Sequence, residues 1–290
     1  MITALRPLKD GVIADFDATV AMLKYYINLI HKTPAGSLSL FPKIPKPKVV
    51  VGIPSGVTEV ERRAVQDAAL SAGARAAYLI EEPMAAVLGV GLSIDQSNGT
   101  FIVDIGGGTT EIAVIALGGI VLNRSIRIAG DEMDEAITHY LRLKYGLLIG
   151  EKTAEEIKIQ IGSAYEVRKT SEQYTVVRGR DMETGLPRSI KIGSTEIREA
   201  LAPVVNQIVD NITQVIEETP PELLADILER GIILAGGCAL LKGIDSVIAQ
   251  ATKIPVWVAD DPLTCVVRGC GKLLDEEKLL QKVRVTGGLK

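Results

Sequence analysis

The sequence predicts an α/β fold, with parallel strands covered by helices, then a β-meander and further helices. Three observations carry that prediction. Of 290 residues, 47% are hydrophobic and only 4% aromatic, so the cores must be built from Val, Ile, Leu and Ala. That mix suits sheets buried under helices. Strand and helix patterns alternate early in the chain, the order that yields parallel pairing through crossover helices. A chain of this length also has enough apolar surface for two compact domains.

Residues 17–32 read as an amphipathic helix, with Met22, Tyr25, Tyr26, Leu29 and Ile30 at helical spacing. The Pro/Gly/Ser stretch "TPAGSLSLFPKIPKPK" follows as a loop, and "VVVGIP" (49–54) is a buried strand stopped by Pro54. "TEVE" (58–61) is a capping box that opens a helix ending at Gly73. "AAYLI" (76–80) is the next strand and "PMAAVLGVGL" a short helix. "TFIVDIG" then enters a glycine turn, "TTEIAVIAL" leaves it, and "GIVLNRSIRI" returns after Gly118-Gly119, making the meander.

Helices are expected at about 131–146 and 153–164; in the second, the plainest account of "TAEEIK" is a capping box of Thr153 and Glu156 with the rest solvated surface, beside a ligand reading of Glu155 and Lys158. "YTVVRGRDMETGLPRSIKI" reads as a hairpin whose loop is marked by Gly185 and Pro187. A long helix covers about 195–217. "GIILAGG" (231–237) is a strand running into a second glycine turn, and a helix follows it. Strand "PVWVA" (255–259) and a helix near 263–275 complete the core; "DEEKLLQK" (275–282) reads as a solvated helical face and "VTGGLK" as a loose tail.

The formal charge of −4 argues against a general nucleic-acid binder. Cys238, Cys265 and Cys270 are an odd number with no secretory signal before them, so they read as reduced intracellular thiols. No apolar run approaches the ~20 residues of a spanning helix. His31 and His139 without clustered cysteines argue against a zinc site, and they read as helix-surface or partner contacts.

"DIGGGTTE" (104–111) is the stretch that asks for chemistry. Glycines allow a tight turn and present consecutive N–H groups to an anion such as phosphate. There is no P-loop pattern, and a strand rather than a helix follows, which is wrong for a dinucleotide fingerprint. The turn suits backbone wrapped on a β/γ-phosphate, with Asp104 holding a hydrated Mg²⁺; an ordinary hairpin turn reads the same residues. "ILAGGCALLKGI" (233–244) sets a second glycine pair where backbone can lie against a flat base such as adenine. Glu155 and Lys158, three apart, share a helix face and suit ribose and base. Glu82 in "LIEEPMAA" sits at a strand exit, where it can orient a water toward a γ-phosphate, or simply favour a helix N-terminus.

Taken in order, acid-GGGTT, EEP, the Glu-to-Lys helix and the late GG turn resemble the actin, DnaK-type chaperone and sugar-kinase superfamily. Within it, "RPLKDGVIADF", "GIPSGVTEVERRA", "IEEPMAA", "DIGGGTTE", "IRIAGDEMDEAI" and "ERGIILAGG" are similar to MreB, the family of bacterial actin homologues, over about residues 4–275. The resemblance implies an actin-like ATPase fold with ribonuclease H-like sheets in two lobes. A partial first lobe would span 1–97, with 263–290 packing back on it. The second would span 98–262, with a smaller inserted subdomain at about 149–200.

It also implies ATP and Mg²⁺ as cofactors. Asp104 resembles the Mg²⁺-organising aspartate, acting through water, and Gly106, Gly107 and Gly108 the second phosphate loop. Glu82 and Thr109 resemble the pair that positions the hydrolytic water. Glu155, Glu156, Ile157 and Lys158 resemble the ribose and adenine contacts. Gly236, Gly237, Cys238 and Ala239 resemble the adenine-side turn, Cys238 standing where many relatives have a third glycine. Members open with a strand and a first phosphate loop of the DLGT kind; this chain starts at "MITALRPLKDG", so that loop is expected to be missing.

The partners implied are the chain itself in filaments, the inner face of the cell membrane, and cell-wall synthesis and elongation proteins, with no nucleic acid. Leu40 and Phe41, followed by Lys43, Lys46 and Lys48, suit shallow insertion at an anionic membrane, or a loop whose apolar residues fold back into the core; the resemblance favours the first, since MreB relatives carry a membrane-contacting apolar loop there. Three rivals stand beside this reading. A DnaK-type chaperone would need a further peptide-binding domain, and a sugar or acetate kinase a substrate pocket not recognisable here. The third is a nucleotide-free interaction protein derived from a filament former.

Overall fold

The computed structural model describes residues 5–30, 46–165 and 172–285. A short hairpin, β1 (Leu8–Lys9) and β2 (Val12–Ile13), opens it. Its turn is Asp10-Gly11, both at positive φ (51° and 73°), the backbone that Asp-Gly supplies to two-residue hairpins. Helix α1 (Phe16–Ile30) follows, its first turn capped by Asp15, whose carboxylate accepts from the Ala18 N–H at 2.9 Å. The expected apolar face of α1 is not a covered one: Tyr25, Tyr26, Leu29 and Ile30 are exposed, and Thr19 is its one buried residue. Helical spacing identified a face, but although α1 touches α2, Met22 alone of the five is half-buried and the other four stay exposed.

Strand β3 (Lys48–Ile53) pairs in parallel with β4 (Ala76–Glu81) through the crossover helix α2 (Glu59–Ser71). The capping box forms as read. The Thr58 hydroxyl accepts from Glu61 N, and the Glu61 carboxylate accepts from Thr58 N at 2.7 Å. Helix α3 (Glu82–Val90) starts where β4 ends, with Pro83 in its first turn.

The central sheet has the order β12-β11-β5-β6-β7. Strands β5 (Thr100–Ile105), β6 (Thr110–Ala116) and β7 (Gly119–Ile126) form the antiparallel meander. Every residue of β5 and β6 is buried, because helices cover both faces of the sheet. Phe101, Val103 and Ile112 face one apolar cluster with α4 (Gly130–Tyr145), α5 (Glu151–Ile161) and α6 (Ser194–Glu218). Ile102, Ala113 and Ile115 face a second, with α3 and α9 (Cys265–Asp275). Strand β11 (Ile232–Ala235) joins β5 in parallel, and β12 (Val256–Val258) joins β11. Helix α8 (Ile244–Thr252) connects those last two strands.

A smaller antiparallel sheet of β8 (Leu147–Leu148), β9 (Tyr174–Asp181) and β10 (Pro187–Gly193) lies against α5. Two expectations need correction, and one helix is additional. Thr153 and Glu156 form no capping box, because Glu151 and Lys152 carry α5 one turn further back; Thr153 lies inside it, donating its N–H to Gly150 O at 3.0 Å. Helix α7 (Pro221–Arg230) was not foreseen; the Pro220-Pro221 pair marks a helix start rather than a break. The segment at 275–282 is not merely solvated: α10 (Glu277–Val283) buries Leu280 fully.

Helices α3 and α9 cross at unusually close range. A methyl on Gly89 would sit on the Cys265 carbonyl, 2.6 Å from its carbon, and one on Gly269 would do the same to Ala85, also at 2.6 Å. Each glycine is the seat for the other helix's backbone.

Candidate functional site

Two strand ends make the site. The parallel register of β11 on β5 pairs Ala235 with Asp104, so both glycine turns leave the sheet at the same end. The first turn closes on itself, Gly106 N donating to Thr109 O at 2.9 Å. Its carbonyls are taken by the start of α4: Gly130 N donates to Gly106 O at 3.2 Å and Asp131 N to Gly107 O at 2.7 Å. The Cys238 thiol of the second turn also donates to Gly106 O, at 3.2 Å, across 132 positions of sequence. With the carbonyls so engaged, the N–H groups of Gly107 and Gly108 have no hydrogen-bond partner among the described residues. This is the arrangement that receives an anion.

The turns open into a cleft of about 670 Å³. Glu82, Asp104, Gly106, Gly107, Gly108, Thr109, Glu155, Lys158, Gly236, Gly237 and Cys238 all line it. Three of the expected residues do not. Glu156 lies on the outer face of α5, 4.0 Å from Lys152; Ile157 and Ala239 are buried in the apolar core. Leu40 and Phe41 lie outside the described residues. The cleft adds Gly11, Gly130, Asp134, Leu240, Lys242 and Leu263, which the sequence reading did not single out. Asp134 had the clearest signal, one helical turn after the "AG" that opens α4.

Charge is arranged in two parts. Lys158 is fixed at the wall: its ammonium donates to Gly130 O at 2.8 Å and to Asp134 at 3.0 Å, in a pair almost wholly buried. Burial still pushes the Asp134 carboxyl up to about 6, the Lys158 charge opposing it. The floor is acidic. Burial raises Glu82 to about 8, helped by the negative charges of Asp104 and Glu111, and burial raises Asp104 to about 7, helped by Glu111. Glu111 is itself raised by burial, although Ser125 Oγ and Ser55 N (3.0 Å) both donate to it. No lysine or arginine pairs with Glu82 or Asp104 among the described residues. Nor, among them, do three or more His, Cys, Asp or Glu side chains group to hold a metal directly. A buried pair of acids without a counter-charge is suited to a cation that keeps its own water shell.

The family described as MreB/Mbl protein matches residues 1–282. The chain belongs to the MreB/Mbl family. The cell shape-determining protein MreB of Escherichia coli (strain K12) is 51% identical over 277 residues, covering 94% of this chain and 76% of that protein. The cell shape-determining protein Mbl of Bacillus subtilis (strain 168) is 47% identical over 285 residues, 98% of this chain and 83% of that protein. The crystal structure of MreB5 of Spiroplasma citri bound to ADP has a TM-score of 0.85 at 39% identity, covering 94% of this chain and 79% of that one. A filament structure of MamK is similar in fold, with a TM-score of 0.76 at 21% identity. The fold is therefore actin-like, as the MreB/Mbl motifs implied. No described helix is long and apolar enough to cross a membrane.

Proposed function

We propose that this MreB/Mbl protein binds ATP with Mg²⁺ in the cleft and assembles into filaments that determine cell shape at the inner face of the cell membrane. One observation carries the reading: two glycine turns converge over a floor of uncompensated buried carboxylates. The Spiroplasma citri MreB5, 39% identical, is bound to ADP in one crystal structure, and a second is bound to AMPPNP. Calorimetric titration with ATP and Mg²⁺ tests the reading; no heat of association would end it.

The residues present fit such a ligand. The free N–H groups of Gly107 and Gly108 would hold the β/γ-phosphates, and Asp104 would accept hydrogen bonds from the water shell of the cation. A hydrated Mg²⁺ would supply, on the side facing Asp104, the positive charge that the acid floor lacks, and would offset charge on the phosphates. Glu155 and Lys158 border ribose and adenine, and Gly236 and Gly237 offer flat backbone to the base. Glu82 and Thr109 orient water at the γ-phosphate. With the expected lobe boundaries the cleft would lie between the lobes: Glu82, Leu263 and Val266 would come from the first with its returning C-terminal helices, and the glycine turns from the second.

Glu82→Ala should slow phosphate release by about 100-fold, the scale of one general base, without abolishing ATP binding, because the side chain acts on water. Parallel loss of binding and turnover would remove Glu82 from that role. Leu40 and Phe41 would anchor the filament to the membrane, with cell-wall synthesis and elongation proteins as its further partners. Serine at both positions should lower co-sedimentation with anionic liposomes and spare nucleotide affinity; unchanged liposome binding would exclude the loop.

A further inference from the structure

We infer that Asp134 sets the cleft's preference for a ribose over a deoxyribose: one carboxylate oxygen holds the Lys158 ammonium at the cleft wall, and the other is left for the hydroxyl that this ammonium also meets. The inference rests on the nucleotide reading above and deepens it, naming the side chain that selects the sugar.

A lysine ammonium has three N–H donors. Two are spent on the first turn of α4, one on Gly130 O at 2.8 Å and one on Asp134 Oδ2 at 3.0 Å. The third has no acceptor among the described residues. The surroundings leave the ammonium little room to move. A methyl on Gly130 would lie 3.3 Å from Lys158 Nζ, 3.2 Å from Gly106 O and 2.9 Å from Cys238 Sγ. Helices α4 and α5 and both glycine turns therefore meet at this point.

Asp134 is the unsatisfied member of the pair. It is 6% exposed, and its Oδ1 is buried with no hydrogen-bond donor among the described residues. Two other buried side-chain atoms among those residues share that condition, Ser55 Oγ and Arg62 Nε, but neither residue lines the cleft. Asp134 and Lys158 both do. The further charges that bear on Asp134 are Glu155 and Asp131, which can only accept. The nearby Cys238 thiol is already spent on Gly106 O. A buried carboxylate oxygen without a donor is costly, and here the missing donor is left to the ligand.

The chemistry of that ligand group follows. It must accept from an ammonium and donate to a carboxylate oxygen through one atom. An ionised phosphate oxygen only accepts; a purine's ring nitrogens accept and its amino group donates. A hydroxyl does both, and in a nucleoside triphosphate the hydroxyls belong to the ribose. The last torsion of an aspartate is broad, so a small rotation brings Oδ1 to such a hydroxyl while Oδ2 keeps the lysine. A site built this way rejects an analogue lacking the hydroxyl, because its own buried groups are then left unpaired.

Affinities of the whole chain for ATP, 2′-deoxy-ATP and 3′-deoxy-ATP with Mg²⁺, measured by calorimetric titration, test this. In the parent, loss of one of the two hydroxyls should weaken binding about tenfold or more, the scale of a hydrogen bond to a charged group. Asp134→Asn keeps the shape and removes the charge. It should bind ATP about as weakly as the parent binds that deoxy analogue, and should hold the two ligands within about twofold of each other. Lys158→Met should erase the same preference, since both side chains act on one hydroxyl. A pair with a structural role alone would lower the melting temperature and weaken all three nucleotides alike, leaving their ratios at the parent's values. Parent-like ratios in Asp134→Asn or in Lys158→Met overturn the inference. So does a parent that binds the three nucleotides equally, a result that needs no variant to fold. A parent that binds none of them overturns the nucleotide reading itself.

Discussion

Gly89→Ala should cost about 3 kcal/mol or more of folding stability, at or beyond the upper end for overpacked cores. The added methyl meets the Cys265 carbonyl, and backbone has no alternative rotamer to adopt. Helices α3 and α9 would have to separate, uncovering the apolar cluster of Met84, Val87, Ile102, Ile233 and Leu273 between them and the sheet. Because whole domains are stable by only ~5–15 kcal/mol, much of the protein should be unfolded well below the parent's denaturation midpoint. Gly269→Ala should behave alike, since its methyl meets Ala85 from the other side. Gly271→Ala on the same helix is the control: nothing lies within 4 Å of a methyl there, and alanine favours helix by up to about 1 kcal/mol. Urea denaturation of the three variants decides. A Gly89→Ala midpoint no lower than the Gly271→Ala midpoint would show that the close crossing is not needed.

Gly236→Ala should weaken nucleotide binding by about tenfold or more, equivalent to ~1.4 kcal/mol. Gly236 sits at φ 83°, ψ 166°, a region essentially reserved for glycine and costing ~1–3 kcal/mol for other residues. A methyl there would also strike the Ile105 carbonyl and the Asp104 carboxylate. Relief must move either the second glycine turn or the acid that the proposal assigns to the hydrated cation. Gly237→Ala separates this from a general sensitivity of the turn, since its methyl meets nothing closer than Leu263 at 3.8 Å; its fold stability should match the parent's. Calorimetric affinities beside thermal melting of both variants are the measurement. Parent-like ATP affinity in Gly236→Ala would mean that the second turn does not face the nucleotide.

Most of the fold was legible because its signals are local. The Thr58–Glu61 box closes over three residues, and the meander is announced by glycine turns between alternating apolar runs. The misses have equally local causes. Thr153 looked like a cap because capping residues are also tolerated inside a first turn, and α5 begins at Glu151 instead. Helix α7 went unread, although Pro220-Pro221 sits where proline is tolerated, at a helix's first turn. Among the residues that line the cleft, the glycines, Asp104, Glu82, Glu155 and Lys158 are legible from residue type and spacing. Asp134 was missed because its meaning is its partner: it holds Lys158 across 24 positions, which no spacing rule covers.

The sequence by itself determined the strand and helix order, both glycine turns, the acids beside them and the family motifs, since each is written within a few consecutive residues. Only the tertiary structure decided that the turns share one cleft, through the parallel register pairing Ala235 with Asp104. It alone also decided that α3 and α9 touch backbone to backbone, and that Asp134 holds Lys158 at the cleft wall. Those facts join residues far apart in the chain. They are fixed by which apolar faces must be buried together, a condition that local pattern does not contain.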